Sequence, residues 1–189
     1  MSYIRPAIVL LVLFTLLLGL AYPLAMTGVG QGVFKQKAEG SPIVRDGVVV
    51  GSSLIGQQFT TPEYFWGRPS AAGKGYDARA SAGSNLGPSS QALVDRITAE
   101  AERYGVDAAD IPPDLLTASG SGLDPHVSPA AARFQIARVA LARSLREVAV
   151  GRLVDEHVET PSFGFLGEPR VNVLELNLAL DDLARTHPR

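Results

Sequence analysis

The chain opens with a long apolar run. The residues from Ala7 to Thr27 are almost entirely apolar and none is charged. About 20 helical residues reach about 30 Å, which is the thickness of the hydrocarbon core of a bilayer. The pattern therefore predicts a single transmembrane helix over residues 7–27, preceded by an N-terminal flank over residues 1–6.

The same run could instead be a cleaved signal peptide with Arg5 at its basic end. However, it is longer than the usual apolar segment of about 7–15 residues, and the sequence around Ala25 is a poor cleavage site. We therefore interpret it as an anchor that stays attached. Three basic residues follow the run, at Lys35, Lys37 and Arg45. A plain charge count places the large domain inside, but long domains are often translocated regardless of such a bias, so both sides stay open.

The hydrophobic pattern after the anchor predicts a linker over residues 28–40 and one compact soluble domain over residues 41–189. Asp46 and Gly47 separate two short apolar runs, which predicts a hairpin because this pair tolerates the positive φ angles of a type I′ turn. Residues 67–89 are rich in Gly, Ser, Ala and Pro, which predicts a long surface loop. With the helices described next, the fold class is α+β.

Two stretches in the middle of the domain have helical periodicity. The first ends at Gly105, and its apolar stripe comprises Leu93, Ile97, Ala101 and Tyr104. The second begins at Ser128, a favourable N-cap that is followed by Pro129. The predicted apolar face of this second helix comprises Phe134, Ala137, Leu141, Leu145 and Val148.

A third helix is predicted near the C-terminus. Asn172 and Glu175 have the spacing of a capping box, and Val171 and Leu176 are spaced as a hydrophobic staple. The helix would run toward Ala184. The alternative is that residues 171–180 begin as a strand.

Composition excludes several classes of function. The chain has 189 residues with 17 basic and 19 acidic side chains, for a net charge of −2. Nucleic-acid binding is not expected, because it needs a basic excess that this chain lacks. The absence of cysteine excludes disulfides, thiolate metal sites and cysteine nucleophiles.

No motif in the sequence predicts a catalytic or metal site. Neither a phosphate-binding P-loop nor a nucleophile elbow is present. The histidines are isolated, and we interpret them as capping, surface or packing residues; they are His126, His157 and His187. Adjacent acids on a helix point in different directions, so solvated faces are expected at residues 155–156 and 181–182. An anchored hydrolase using His126 and Asp124 is a remote alternative.

Three other features have competing interpretations. The loop of Ser119, Gly120, Ser121 and Gly122 could hold an anion before a helix N-terminus, but a turn that caps the next helix is favoured. Residues 64–66 are interpreted as a core anchor rather than a binding platform. Four arginines are interpreted as ordinary solvation of a core helix, with an acidic or phosphate partner as the alternative: Arg133, Arg138, Arg143 and Arg146.

Four blocks, in this order along the chain, resemble the C subunit of the bacterial Kdp high-affinity potassium-transporting ATPase. They are residues 64–71 (YFWGRPSA), 84–89 (SNLGPS), 114–126 (DLLTASGSGLDPH) and 164–172 (GFLGEPRVN). Together with the single N-terminal span, they cover nearly the whole chain.

The resemblance implies a non-catalytic, single-pass subunit of an inner-membrane complex. Its expected partners are a channel-like A subunit, an ATP-hydrolysing P-type B subunit, a very small F subunit and the lipid bilayer. The family is described as a catalytic chaperone that raises the ATP affinity of the B subunit, so ATP is the expected shared cofactor, and no metal is expected. In that description the nucleotide-contact candidates are Ser119, Gly120, Ser121, Gly122 and Gln135.

The resemblance also carries a second picture, in which the soluble domain lies on the outer face near the potassium entrance. ATP lies in the cytoplasm, so a translocated domain could not touch it. Any effect on ATP affinity would then be a coupling free energy transmitted through membrane helices. The resemblance favours the outer, periplasmic face for the soluble domain, with a cytoplasmic domain that contacts nucleotide as the alternative. A purely structural outer-face subunit with no nucleotide role is also kept as an alternative.

Overall fold

The computed structural model describes residues 3–186, so His187 lies outside the described residues. The chain divides into two units, of which the first ends at Val50 and the second begins at Gly51. The first unit contains the N-terminal helix and most of a hairpin. The second contains the rest of the α+β fold.

The apolar run forms one long helix from Ile4 to Val33. It consists of α1 (Ile4–Leu16), a π-helical turn (Leu17–Ala21) and α2 (Tyr22–Val33). Pro23 has no backbone N–H to donate, and its ring crowds the carbonyl of Gly19, four residues earlier. The wider π-helical turn contains Gly19. The predicted N-terminal apolar helix is confirmed, and no part of its most apolar window is buried among the described residues.

The helix runs past its predicted end at Thr27, which corrects the linker predicted over residues 28–40. Residues 28–33 are helical, because glycine weakens a helix but, unlike proline, keeps its backbone donor. A short helix, α3 (Lys35–Ala38), follows. The hairpin is confirmed as β1 (Pro42–Arg45) and β2 (Val48–Ser52), with φ of 51° at Asp46 and 79° at Gly47.

The second unit begins with a long irregular segment. No helix or strand lies between Ser52 and Gln91 in this fully described part of the chain, which confirms the absence of regular structure predicted for residues 67–89. The segment is not all at the surface, because Phe65, Trp66 and Ala72 are buried. Then come α4 (Gln91–Tyr104) and two 3₁₀ turns (Ala108–Asp110 and Pro113–Leu115). Gly105 ends α4 with φ of 72°, as predicted.

As far as residue 186, the rest of the unit consists of a small antiparallel sheet and four helices. Its strands are β3 (His126–Val127), β4 (Val158–Glu159) and β5 (Arg170–Asn172), in the order β3-β5-β4. Val127 and Val158 both pair with Val171 on the central strand. The helices are α5 (Pro129–Phe134), α6 (Ile136–Arg143), α7 (Glu147–Glu156) and α8 (Val173–Thr186).

The core is formed by apolar side chains from the helices, the central strand and the irregular segment. Its fully buried members include Phe65, Leu115, Val139, Val150, Val154, Val171, Leu176 and Leu180. The predicted N-caps are confirmed. Ser128 Oγ accepts a hydrogen bond from Ala131 N at 3.0 Å, and Asn172 Oδ1 accepts bonds from the backbone amides of residues 174 and 175. The C-terminal stretch was predicted as a helix, with a strand over residues 171–180 as the alternative. Both occur in part, because strand β5 ends at Asn172 and helix α8 begins at Val173.

The apolar face predicted for the helix after Ser128 is wrong. This stretch forms three helices, because the chain breaks at Gln135 and again at Ser144, where φ is 55°. Each break resets the helical phase, so Leu141 is 83% exposed and the buried positions shift to Val139 and Ala140. Of the predicted residues, only two pack against the core: Phe134 and Leu145.

Candidate functional site

Phe65 and Trp66 are buried in the second unit and Tyr64 is half-buried, which confirms the interpretation of residues 64–66 as a core anchor. Side-chain amides hold the backbone of this segment. Asn177 Oδ1 accepts from Phe65 N at 2.8 Å, and Asn177 Nδ2 donates to Phe65 O at 3.0 Å. Gln135 does the same for Trp66, at 2.8 and 3.0 Å. The two amides take the place of a neighbouring strand for this buried segment.

Three arginines stack on the aromatic rings of this segment. The guanidinium carbons of Arg103 and Arg138 each lie 3.7 Å from the Trp66 ring centroid, and that of Arg143 lies 4.6 Å from the Tyr64 centroid. Burial lowers the pKa of Arg138 to about 10, so this side chain is still charged at neutral pH. Such stacking contributes about 0.5–2 kcal/mol for each pair.

The interpretation of the arginines as solvating residues is therefore wrong for two of the four. Arg138 donates to the carbonyls of Pro62 and Tyr64, and the largely buried Arg143 pairs with Asp181 at 2.7 Å. The remaining two, Arg133 and Arg146, are exposed, as predicted. The spacing of residues along a helix gives no sign that the aromatic segment of residues 64–66 packs against Arg138 and Arg143.

The Ser-Gly loop forms a tight turn beside a cavity of about 420 Å³. Ser119 is buried and its Oγ accepts from Gly122 N at 2.9 Å, while the exposed Ser121 accepts from Leu123 N at 3.1 Å. Gly120 is exposed and also lines the cavity. Gly122 has φ of 66°, and a Cβ there would lie 2.6 Å from Ala82 O, so only glycine fits this position.

Gln135 is not brought to this loop. It does not line the cavity, its side chain is buried, and its hydrogen bonds go to Trp66, Ala131 and Arg138. The helix N-terminus after the loop is also filled by the chain itself. Asp114 accepts from Ser128 N at 2.7 Å, and Ser128 Oγ caps the helix. The predicted turn is confirmed at residues 119–122, whereas the cap of the next helix is Ser128, which lies beyond this loop and after strand β3.

Asp124 and His126 form a polar cluster at the wall of a cavity of about 540 Å³. Partial burial opposes ionisation of Asp124, but hydrogen bonds from His126 and the nearby Arg68 guanidinium hold its pKa below the ordinary value. His126 Nδ1 lies 3.4 Å from Asp124, and its Nε2 lies 3.9 Å from Glu159. Both ring nitrogens thus approach carboxylates, and the hydroxyl of Ser128, which lines the same cavity, donates to Asp114 at 3.2 Å.

Other predicted chemistry is also accounted for by structure. His157 Nδ1 lies 2.8 Å from Leu153 O, a contact within one helical turn. Asp155 pairs with Arg133, and Glu156 is exposed. Among residues 3–186 there is no group of three or more histidine, aspartate or glutamate side chains placed to hold a metal ion.

Two features of the fold were not predicted from the sequence. Asn177 lies among apolar residues of α8, and a polar residue on a buried face is the signal that could have found it. The loop of residues 162–168 exposes three large apolar side chains, with Phe163 88% and Phe165 76% exposed beside Leu166. A bridge between Ser162 and Leu166 closes this loop.

Comparison with known proteins gives consistent matches over nearly the whole chain. The family model described as KdpC, K⁺-transporting ATPase, c chain, matches residues 4–182. The potassium-transporting ATPase KdpC subunit of Caulobacter vibrioides is 57% identical over 185 residues, covering 96% of this chain and 93% of that protein. The KdpC subunit of Nitratidesulfovibrio vulgaris is 54% identical, covering 97% of this chain and 96% of that protein. The KdpC subunit of Gemmatimonas aurantiaca is 55% identical, covering 100% of this chain and 96% of that protein.

Proposed function

The chain belongs to the KdpC family, the c chain of the K⁺-transporting ATPase, and from this premise we propose that it is a non-catalytic subunit that assembles and stabilises a potassium-transporting ATPase complex. The observation that carries the proposal is the extent of the family match, which covers both the apolar helix and the α+β unit. Its partners in this proposal are the A, B and F subunits and the bilayer.

The apolar helix supports an assembly role. No residue of its most apolar window is buried by the described chain, so lipid and the helices of partner subunits would surround it. Gly28 and Gly32 lie about one helical turn apart on α2, and a Cβ at either position would meet no atom of the described chain within 4 Å. Small residues at this spacing allow close approach of a second membrane helix.

The exposed loop of residues 162–168 supports a second contact, made by the soluble domain. Three exposed apolar side chains in one short loop are typical of a surface that another molecule covers. The loop contains Glu168 and no basic residue, so it suits a protein surface better than an anionic bilayer. We assign this contact to another subunit of the complex.

Removing residues 1–30 is expected to abolish co-purification with the other subunits from detergent extracts. The double substitution Gly28→Ile and Gly32→Ile should keep the anchor but reduce recovery of the complex, because the added side chains block close helix approach. Val29→Ile, on the same part of α2, is the matched control and should leave recovery unchanged. A truncated chain that still joined the complex would overturn the proposal.

The proposal places the soluble domain on the outer face of the inner membrane, and the family resemblance supports this side. Because the chain has no cysteine, Ser53→Cys introduces a single, partly exposed thiol outside the loop of residues 162–168 that is assigned to a subunit contact. Labelling of this variant by a membrane-impermeant thiol reagent in intact cells is expected. Labelling only after the cells are broken would instead place the domain in the cytoplasm. The parent chain, which has no cysteine, is the control for background labelling.

The finer part of the proposal is that the chain raises the ATP affinity of the B subunit without touching ATP. With the domain outside, the effect is a coupling free energy between subunits. The hydrogen bonding of Gln135 within the core favours this form over direct contact. Direct contact by Ser119, Gly120, Ser121, Gly122 and Gln135 remains the alternative and requires a cytoplasmic domain.

A further inference from the structure

A small cavity between α4 and the irregular segment has a strongly basic lining. Its volume is about 200 Å³. The charged side chains that line it are Arg68, Lys74, Arg96, Arg103 and Glu100. Four cations and one carboxylate leave a net charge of +3 around this space, although the chain as a whole has a net charge of −2. The concentration of positive charge at one cavity is therefore a local feature of the fold.

The basic groups in this cavity are only partly compensated, because Arg68 and Arg103 have carboxylate partners and Arg96 has an unpaired buried donor. Arg96 Nη1 is buried and has no hydrogen-bond partner among the described residues. A buried charged donor without an acceptor is unfavourable, so movement of this flexible side chain toward an acceptor supplied by a ligand in the cavity would be stabilising. The single carboxylate, Glu100, lies 3.6 Å from Arg103, so it already has a cationic partner.

The other groups around the cavity are also suited to an anion. Arg68 forms an ion pair with Asp124 at 3.3 Å, and its contacts to two backbone carbonyls are long, at 3.4 Å, so part of its guanidinium can still turn to a ligand. Tyr76 donates its hydroxyl to Arg68 O at 2.7 Å, and burial raises the pKa of Tyr76 to about 12. This wall of the cavity thus stays neutral. Lys74 is exposed and can approach a ligand from the solvent side.

Size and charge together define the ligand. Pockets for drug-sized ligands measure roughly 300–1,000 Å³, so a cavity of about 200 Å³ is too small for a whole nucleoside triphosphate. Guanidinium groups bind phosphate oxygens in pairs, and several of them match a multiply charged tetrahedral group better than a single carboxylate. We propose that this cavity binds the phosphate group of a small anion, either free phosphate or a lipid headgroup.

The proposal is independent of the assembly role and is tested on the full chain in an uncharged detergent. Binding is measured by titration calorimetry at constant ionic strength, with inorganic phosphate in one arm and short-chain phosphatidylglycerol in the other. At least one should bind. Arg96→Gln should weaken that binding about tenfold or more, because it removes the charged donors. Lys74→Gln, at an exposed position, should weaken it several-fold and guards against misfolding of the first variant.

Arg79→Gln is the matched control, since this arginine is 94% exposed and does not line the cavity. It should bind as the parent chain does. Tighter binding of inorganic phosphate would identify a free anion as the ligand, and tighter binding of the lipid would identify a headgroup; both outcomes support the site. Failure of both probes to bind, or equal binding by the Arg96 and Arg79 variants, overturns it.

Discussion

Phe65→Ala is expected to lower the free energy of unfolding by about 3–5 kcal/mol. The Phe65 side chain is fully buried in the core of the second unit, so the substitution removes apolar contacts and leaves a cavity. Since domains are commonly stable by only about 5–15 kcal/mol, this loss is a large fraction of the total. It would also loosen the segment on which Gln135 and Asn177 converge.

The measurement is chemical denaturation of the full chain in detergent, followed by tryptophan fluorescence. Trp66 is the only tryptophan and is buried next to Phe65, so its emission reports on this segment. Phe165→Ala makes the same chemical change at a position that is 76% exposed. This control should change stability by no more than about 0.5 kcal/mol. Equal effects of the two substitutions would contradict the assignment of Phe65 to the core.

Gln135→Leu is expected to destabilise the second unit by about 2–5 kcal/mol. Leucine fills a similar volume but leaves the buried N–H and C=O of Trp66 without partners, each at a cost of about 1–3 kcal/mol. Arg138 would also lose its bond of 2.6 Å to Gln135 Oε1. Gln91→Leu is the matched control, because Gln91 is exposed and bonds only Asp95. A stability loss no larger than that of the control would show that Gln135 does not support the segment.

This prediction bears on how an ATP phenotype is interpreted. A Gln135 variant with weakened ATP use would be explained by loss of support for residues 64–66, with no nucleotide contact required. Ser121→Ala is the cleaner test of direct contact, because Ser121 is exposed on the loop and its hydroxyl makes a single backbone bond. Reduced ATP use in this variant, at unchanged stability, would favour direct contact over coupling between subunits.

Features that depend on neighbouring residues follow from the amino-acid sequence alone. The apolar run predicts its helix because length and composition suffice for a membrane span. Ser128 and Asn172 are predicted as caps, and Gly105 and the Asp46-Gly47 turn as chain reversals, because each acts within a few residues of its own position. Four blocks with a distinctive order were enough to place the chain in its family.

Long-range contacts, in contrast, determine which polar side chains form hydrogen bonds inside the fold. Gln135 bonds Trp66, 69 positions away, and Asn177 bonds Phe65, 112 positions away, so no local pattern indicates either pair. Two breaks reset the phase of the helices after Ser128, which moved the buried face away from the predicted one. The basic cavity likewise brings Arg96 on α4 close to Arg68 and Lys74 on the irregular segment. These side chains are far apart in the sequence, so only the folded chain shows that their charges lie together.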